Sequence, residues 1–168
     1  MNRLHSIFIV FVFCCNTAGL VANEGTALTA TPEKRLSEFS HKKQLMIRGY
    51  DVVSYHQPSG PVEGEAAYEV EHAGLRYRFA SDTNMQTFLE SPETYEPLYG
   101  GWCAYAMLDG GKTRIDPETY KLVDGKLLLF YNGLWGNTLE AWNALIVENS
   151  SDAALIQKAD QHWMELLN

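Results

Sequence analysis

The sequence predicts an α+β fold: a small single domain with two β-hairpins forming an antiparallel sheet, packed by three or so helices. Two pairs of short segments alternate or run apolar residues around turn dipeptides, and two later segments repeat apolar residues at helical spacing. A third observation is the near absence of cysteine outside the N-terminus, which leaves packing rather than disulfides to hold the domain together.

The first segment reads as a targeting sequence. Arg3 precedes the apolar run Ile7 to Cys15, and small residues follow at Thr17, Ala18, Gly19 and Ala22. That is the layout of a secretory signal peptide, residues 1–22, cleaved after Ala22, with a cut near Ala18 or Gly19 as the alternative. The apolar run is too short to span a bilayer, so the chain is expected to be periplasmic or secreted, with no membrane insertion after signal cleavage. Cys14 and Cys15 invite a lipoprotein reading, but bulky Phe11, Val12 and Phe13 stand where a lipobox needs small residues.

Residues 23–43 are polar and end in His41-Lys42-Lys43. They read as a flexible leader carrying a solvated charge cluster, with a helical turn or two over Glu33 to Phe39. The domain itself is expected over residues 44–168, long enough to bury one core.

Within it, Tyr68-Glu69-Val70-Glu71 and Leu75-Arg76-Tyr77-Arg78-Phe79 alternate around His72-Ala73-Gly74, a hairpin with one buried face. Glu69 and Glu71 share the wet face with Arg76 and Arg78, so cross-strand charge pairing favours that register. Ser81 or Asp82 then caps a helix with Met85, Phe88 and Leu89 on one face, ended by Pro92. Tyr120 to Val123 and Lys126 to Tyr131 flank Asp124-Gly125, a pair suited to a type I′ turn. After Asn132 and Gly133, the positions Leu139, Trp142, Leu145 and Ile146 predict an amphipathic helix. Ser151 or Asp152 opens another, with Leu155, Ile156, Ala159, Trp163, Leu166 and Leu167 facing inward.

Charge narrows the partners. Thirteen Lys and Arg stand against 21 Asp and Glu, a formal net charge of −8, which argues against nucleic acid and anionic membranes. A small molecule or another protein is left as the partner class. There is no Gly-rich phosphate loop, no Gly-x-Ser-x-Gly elbow and no His-Glu-x-x-His, so whether the chain is an enzyme stays open.

Cys103 carries the sharpest functional expectation. It lies in Tyr99-Gly100-Gly101-Trp102-Cys103-Ala104-Tyr105-Ala106-Met107 and is the one thiol outside the targeting segment. It is a buried small hydrophobe, a redox-active thiol set in a glycine-aromatic loop, a metal ligand, or a thiol that pairs with another molecule. His56, at the end of Gly49-Tyr50-Asp51-Val52-Val53-Ser54-Tyr55-His56, is a candidate base or co-ligand. A thiolate from Cys103 with the His56 imidazole suits copper or zinc, although two ligands make a weak site. Tyr50, Asp51, Trp102, Tyr105 and Asp116 are candidate residues of a cofactor or ligand pocket. A hydrolase built from Cys103, His56 and Asp51 fits the residue types but has no supporting spacing.

These segments together resemble the YHS-domain proteins of the exported, stand-alone type. The matching blocks are Gly49 to Tyr55, Tyr77-Arg78-Phe79-Ala80-Ser81, Pro92-Glu93-Thr94-Tyr95, Tyr99 to Ala106, Ile115-Asp116-Pro117, Val123-Asp124-Gly125-Lys126-Leu127, and Ala159-Asp160 with Trp163. The resemblance implies a YHS-like domain over nearly the whole chain after the leader, and a family suspected of binding copper. In the short relatives that accompany copper-transporting ATPases, two cysteines sit where this chain has Ala80 and Asn84, so their metal site does not carry over. The exported branch is similar to a group that includes selenoproteins, which implies chalcogen reactivity at Cys103. The expectation is an accessory protein with a redox-active or metal-contacting thiol at Cys103. The alternative is a non-catalytic small-molecule or protein binding module in which Cys103 only packs.

Overall fold

Thr31 opens the first helix: its side-chain oxygen accepts the Lys34 N–H at 3.3 Å, and Pro32 presets φ in the first turn. The computed structural model describes residues 30–148 and 151–168. The expected signal peptide, residues 1–22, and the start of the expected leader lie outside the described residues.

Helix α1 (Pro32–Glu38) corrects the expectation of a flexible leader for its described part, residues 30–43. Arg35 is 2% exposed and Phe39 is 4% exposed. The Arg35 guanidinium donates to both carboxylate oxygens of Glu96 and, at 3.2 Å, to the Tyr77 hydroxyl, which itself donates to Glu96 at 2.6 Å. A short helix held by a buried ion pair offers no apolar periodicity to read, because its anchor is a charge whose partner is remote in sequence.

Four strands form the larger sheet. β1 (His41–Lys42) and β2 (Leu45–Met46) are antiparallel, while β3 (Glu65–His72) and β4 (Leu75–Phe79) form the expected hairpin. The sheet order is β1-β2-β4-β3, with β2 parallel to β4. The β3–β4 turn uses Ala73 and Gly74, both left-handed at φ 47° and 83°. Glu69 faces Arg78 and Glu71 faces Arg76, as charge pairing requires. The Glu69 carboxylate collects both guanidiniums, Arg76 at 2.9 Å and Arg78 at 2.7 Å. On the other face of β4, Leu75, Tyr77 and Phe79 are buried.

Helix α2 (Asp82–Glu90) starts on the Ser81 cap, whose hydroxyl accepts the Asn84 N–H at 3.1 Å. Phe88 packs on the Tyr77 and Phe79 rings at 4.8 and 5.2 Å. Leu89 is 45% exposed, so the inward face is Asn84, Met85 and Phe88. Pro92 ends α2 and begins a short helix, α3 (Pro92–Tyr95). A further short helix, α4 (Ala104–Met107), follows Cys103.

β5 (Asp116–Val123) and β6 (Lys126–Phe130) close on Asp124-Gly125, left-handed at φ 49° and 77°. Leu127, Leu128, Leu129 and Phe130 are all fully buried, so β6 is covered on both faces. The α+β class holds, but the two hairpins, expected in one antiparallel sheet, occupy separate sheets. The physical reason is that the β4 edge away from β3 is occupied by β2.

A small unanticipated hairpin, β7 (Asn132–Gly133) with β8 (Gly136–Asn137), precedes helices α5 (Thr138–Glu148) and α6 (Asp152–Leu167). Ser151 caps α6 by accepting the Ala154 N–H at 3.2 Å. Trp142 of α5 is fully buried, and its indole N–H reaches the Asp152 carboxylate at 2.7 Å. One apolar cluster runs from Phe39 through β4, β6 and Trp142 to Trp163. No described helix is long and apolar enough to cross a membrane.

Candidate functional site

The loop before Cys103 is a run of left-handed backbone: Tyr99, Gly100 and Gly101 have φ of 58°, 56° and 80°. Gly100 is required for space as well, since a Cβ there would lie 2.6 Å from the Phe39 ring. The run turns the chain so that Cys103 enters the core extended. Its N–H donates to the Thr113 carbonyl at 3.0 Å, and its carbonyl accepts the Met107 N–H of α4.

The Cys103 sulfur is fully buried. Sγ lies 3.3 Å from the Thr138 hydroxyl. That hydroxyl donates its proton to the Tyr131 carbonyl at 3.0 Å and accepts the Tyr131 N–H at 2.9 Å. Its one proton is therefore committed, and the thiol is the donor toward it. Cys103 and Thr138 thus tie the start of α4 to the start of α5.

His56 stands apart from this arrangement. It ends a 3-10 turn, and its ring packs edge-on against Tyr95 at 5.1 Å. Its Nε2 is buried without a hydrogen-bond partner among the described residues. Burial holds its pKa below the ordinary histidine value, which keeps the ring neutral. No hydrogen bond joins it to Cys103 among the described residues.

Asp51, expected in a pocket, is fully buried. Oδ1 accepts the N–H groups of Val53 at 2.8 Å and Ser54 at 3.3 Å, and Oδ2 accepts the Ala80 N–H at 2.9 Å and the Asn84 amide at 2.6 Å. It is a clamp between the 51–54 loop and the start of α2. Ala80, through its N–H, and Asn84, through its side-chain amide, both serve this clamp. Among the described residues the donors do not come together as a copper or zinc site. Cys103 and His56 have separate partners, and no group of three or more His, Cys, Asp or Glu is placed to hold a metal ion among the described residues.

Asp116 accepts from the Glu118 N–H at 3.3 Å and the Thr119 hydroxyl at 2.8 Å, a local turn cap. The Tyr50 hydroxyl donates to Glu118 at 3.3 Å. Tyr105 is half-buried in α4 against the core. Trp102 is also half-buried, and its indole N–H is taken by the Glu38 carbonyl at 2.6 Å.

Trp102 lines a cavity of about 460 Å³, within the range of small-molecule sites. Of the five expected pocket residues, it is the one on this wall. Leu45, Ile47 and Ile115 add apolar surface, and His41, Lys42, Arg48 and Arg114 bring nitrogen groups to it. His41 is held by both ring nitrogens: Nδ1 accepts the Gln44 N–H at 3.2 Å, and Nε2 donates to the Leu36 carbonyl at 2.8 Å. Both His41 nitrogens are thus engaged, and the other basic side chains of the rim are Lys42, Arg48 and Arg114.

The sequence reading missed those three. Lys42 reads from the sequence as part of a solvated cluster, and Arg48 and Arg114 lie in no recognisable motif. The available signal was the rarity of arginine beside the apolar Ile47 and Ile115 in an acidic chain.

No protein-family model matches the chain, and no curated protein or solved structure matches it. The resemblance to the YHS family rests on its motif blocks alone.

Proposed function

We propose that this chain is an exported, non-catalytic binding module of the YHS type, whose surface around Trp102 receives a small molecule or a partner peptide. Cys103 is a packing residue in this reading. The observation that carries it is the full burial of the sulfur against the Thr138 hydroxyl, while a cavity of small-molecule size opens beside its neighbour Trp102. A redox or metal-contacting thiol needs access for an oxidant, a second thiol or an ion, and the burial of Sγ speaks against each.

The test is thiol titration of the native protein. Labelling of Cys103 should be slow and should need denaturant. Fast labelling under native conditions overturns the reading in favour of a reactive thiol. Copper and zinc titration of the wild type against Cys103→Ser supplies the second check. Equal affinity, or none, in both proteins keeps Cys103 out of any metal site, whereas binding lost only in the variant restores it.

A further inference from the structure

The cavity beside Trp102 has a charge pattern opposite to that of the chain. The protein carries a formal net charge of −8, yet no carboxylate is among the described residues that line this cavity. Lys42, Arg48 and Arg114 all reach it, and none of them makes an ion pair or a side-chain hydrogen bond with a carboxylate among the described residues. Arg35, Arg76, Arg78, Lys112, Lys121 and Lys158 are each paired with an acid, while Lys34, Lys43 and Lys126, which do not line the cavity, likewise make no ion pair among the described residues. In a chain with an excess of carboxylates, three unneutralised cations around one concavity leave a local positive potential.

Backbone strain marks the same place. Ile47 and Arg48 are left-handed at φ 44° and 55°, and Ile47 is a β-branched residue buried to 3% exposure. Such a residue is an outlier in that region, and strain of this kind persists only where the surroundings enforce it. Its effect is to turn Ile47 into the core and leave Arg48 exposed beside the cavity.

We propose that this cavity binds a small organic anion, a carboxylate- or phosphate-bearing molecule with an aromatic or aliphatic body. The inference rests on the module reading above and names its ligand class. The head group is met by the guanidiniums of Arg48 and Arg114, with Lys42 as a third charge. The body lies against Leu45, Ile47 and the half-buried ring of Trp102. The indole N–H is already spent on the Glu38 carbonyl, so that ring offers apolar surface rather than a hydrogen bond. A volume of about 460 Å³ is far larger than a bare ion fills, which is why the ligand is organic.

The test is calorimetric titration of the purified protein with four probes: phenyl phosphate, phenylacetate, the neutral phenylacetamide, and inorganic phosphate. At least one aromatic anion should bind about tenfold or more tightly than both phenylacetamide and inorganic phosphate, and should weaken as salt rises. Which aromatic anion wins tells a carboxylate from a phosphate head group. The double variant Arg48→Gln with Arg114→Gln should lose about tenfold or more for the anions, with an unchanged melting temperature because both side chains are exposed. The Trp102 indole resonance should move on binding in the wild type.

Equal binding of phenylacetamide and phenylacetate overturns the anion inference and leaves an apolar module. So does anion binding unaffected by the double variant, or no binding of any probe. Fast native labelling of Cys103 in the same preparation counts against the module reading instead, so the two failures are distinguishable.

Discussion

Three hairpins among the described residues close on a pair of left-handed residues, and two of them, β5–β6 and β1–β2, do so with opposite chemistry. Between β5 and β6 the pair is Asp124-Gly125, at φ 49° and 77°, residue types that accept this backbone readily. Between β1 and β2 it is Lys43-Gln44, at φ 51° and 67°, where both side chains oppose it. The first turn is set by its own residues. The second is enforced from outside: Arg76 donates its backbone N–H to the Gln44 carbonyl and its guanidinium to the Lys43 carbonyl, each at 2.8 Å, and His41 accepts the Gln44 N–H. Behind it stands α1, whose Leu36 carbonyl holds the other His41 nitrogen.

The relaxed hairpin carries β6, the most deeply buried strand, and serves the core. The strained one forms a wall of the cationic cavity. Lys43, Gln44, Ile47 and Arg48, all left-handed, cluster in and beside this hairpin, and local violations of this kind are usual at functional sites.

The largest effect should come from undermining the support of the strained hairpin. Arg35→Met leaves the Glu96 carboxylate buried with the Tyr77 hydroxyl and no cation. It should lower the unfolding free energy by about 3–5 kcal/mol, read from urea midpoints. A change below about 1 kcal/mol would mean that the pair behaves like a surface contact and that α1 is not an anchor.

Exchanging turn chemistry between the hairpins comes next. Gly125→Ala forces a Cβ into left-handed backbone with open space around it, and should cost about 1–2 kcal/mol from backbone strain alone. Lys43→Asn with Gln44→Gly should instead stabilise by about 1 kcal/mol, because those residues tolerate the conformation already present. Neither Lys43 nor Gln44 lines the cavity, so anion binding should survive the exchange. A destabilised double variant breaks the comparison.

The smallest effect concerns pH on the relaxed side. Burial raises the Asp160 pKa above its ordinary 3.8, against the opposing pull of the Tyr99 hydroxyl and Lys126. A raised carboxyl pKa favours the folded state below 3.8, and that contribution is lost as pH rises through the folded value. Asp160→Asn should therefore be more stable than wild type at neutral pH and equal to it in acid, by denaturant titration at several pH values. An unchanged difference across pH would remove Asp160 as the cause.

What was legible in the sequence follows the same division. The Ala73-Gly74 and Asp124-Gly125 turns, the Ser81 and Ser151 caps and the Trp142 helix all depend on residues within a few positions of one another, and the structure has each. The site was legible only at Trp102. Asp51 reads as a pocket carboxylate because nothing adjacent reveals that Ala80 and Asn84 will return to bury it. Lys42 reads as solvated charge because Arg48 and Arg114 join it only through the fold.

The sequence by itself determined the α+β class, the two main hairpins and their turns, because periodicity and turn propensity are local properties. Tertiary structure alone decided that part of the expected leader belongs to the domain, that Cys103 is enclosed and hydrogen-bonded to Thr138, and that three cations without an ion pair among the described residues meet beside Trp102. Those outcomes depend on burial, and burial is settled by which distant segments close over a residue, not by the residue's neighbours in the chain.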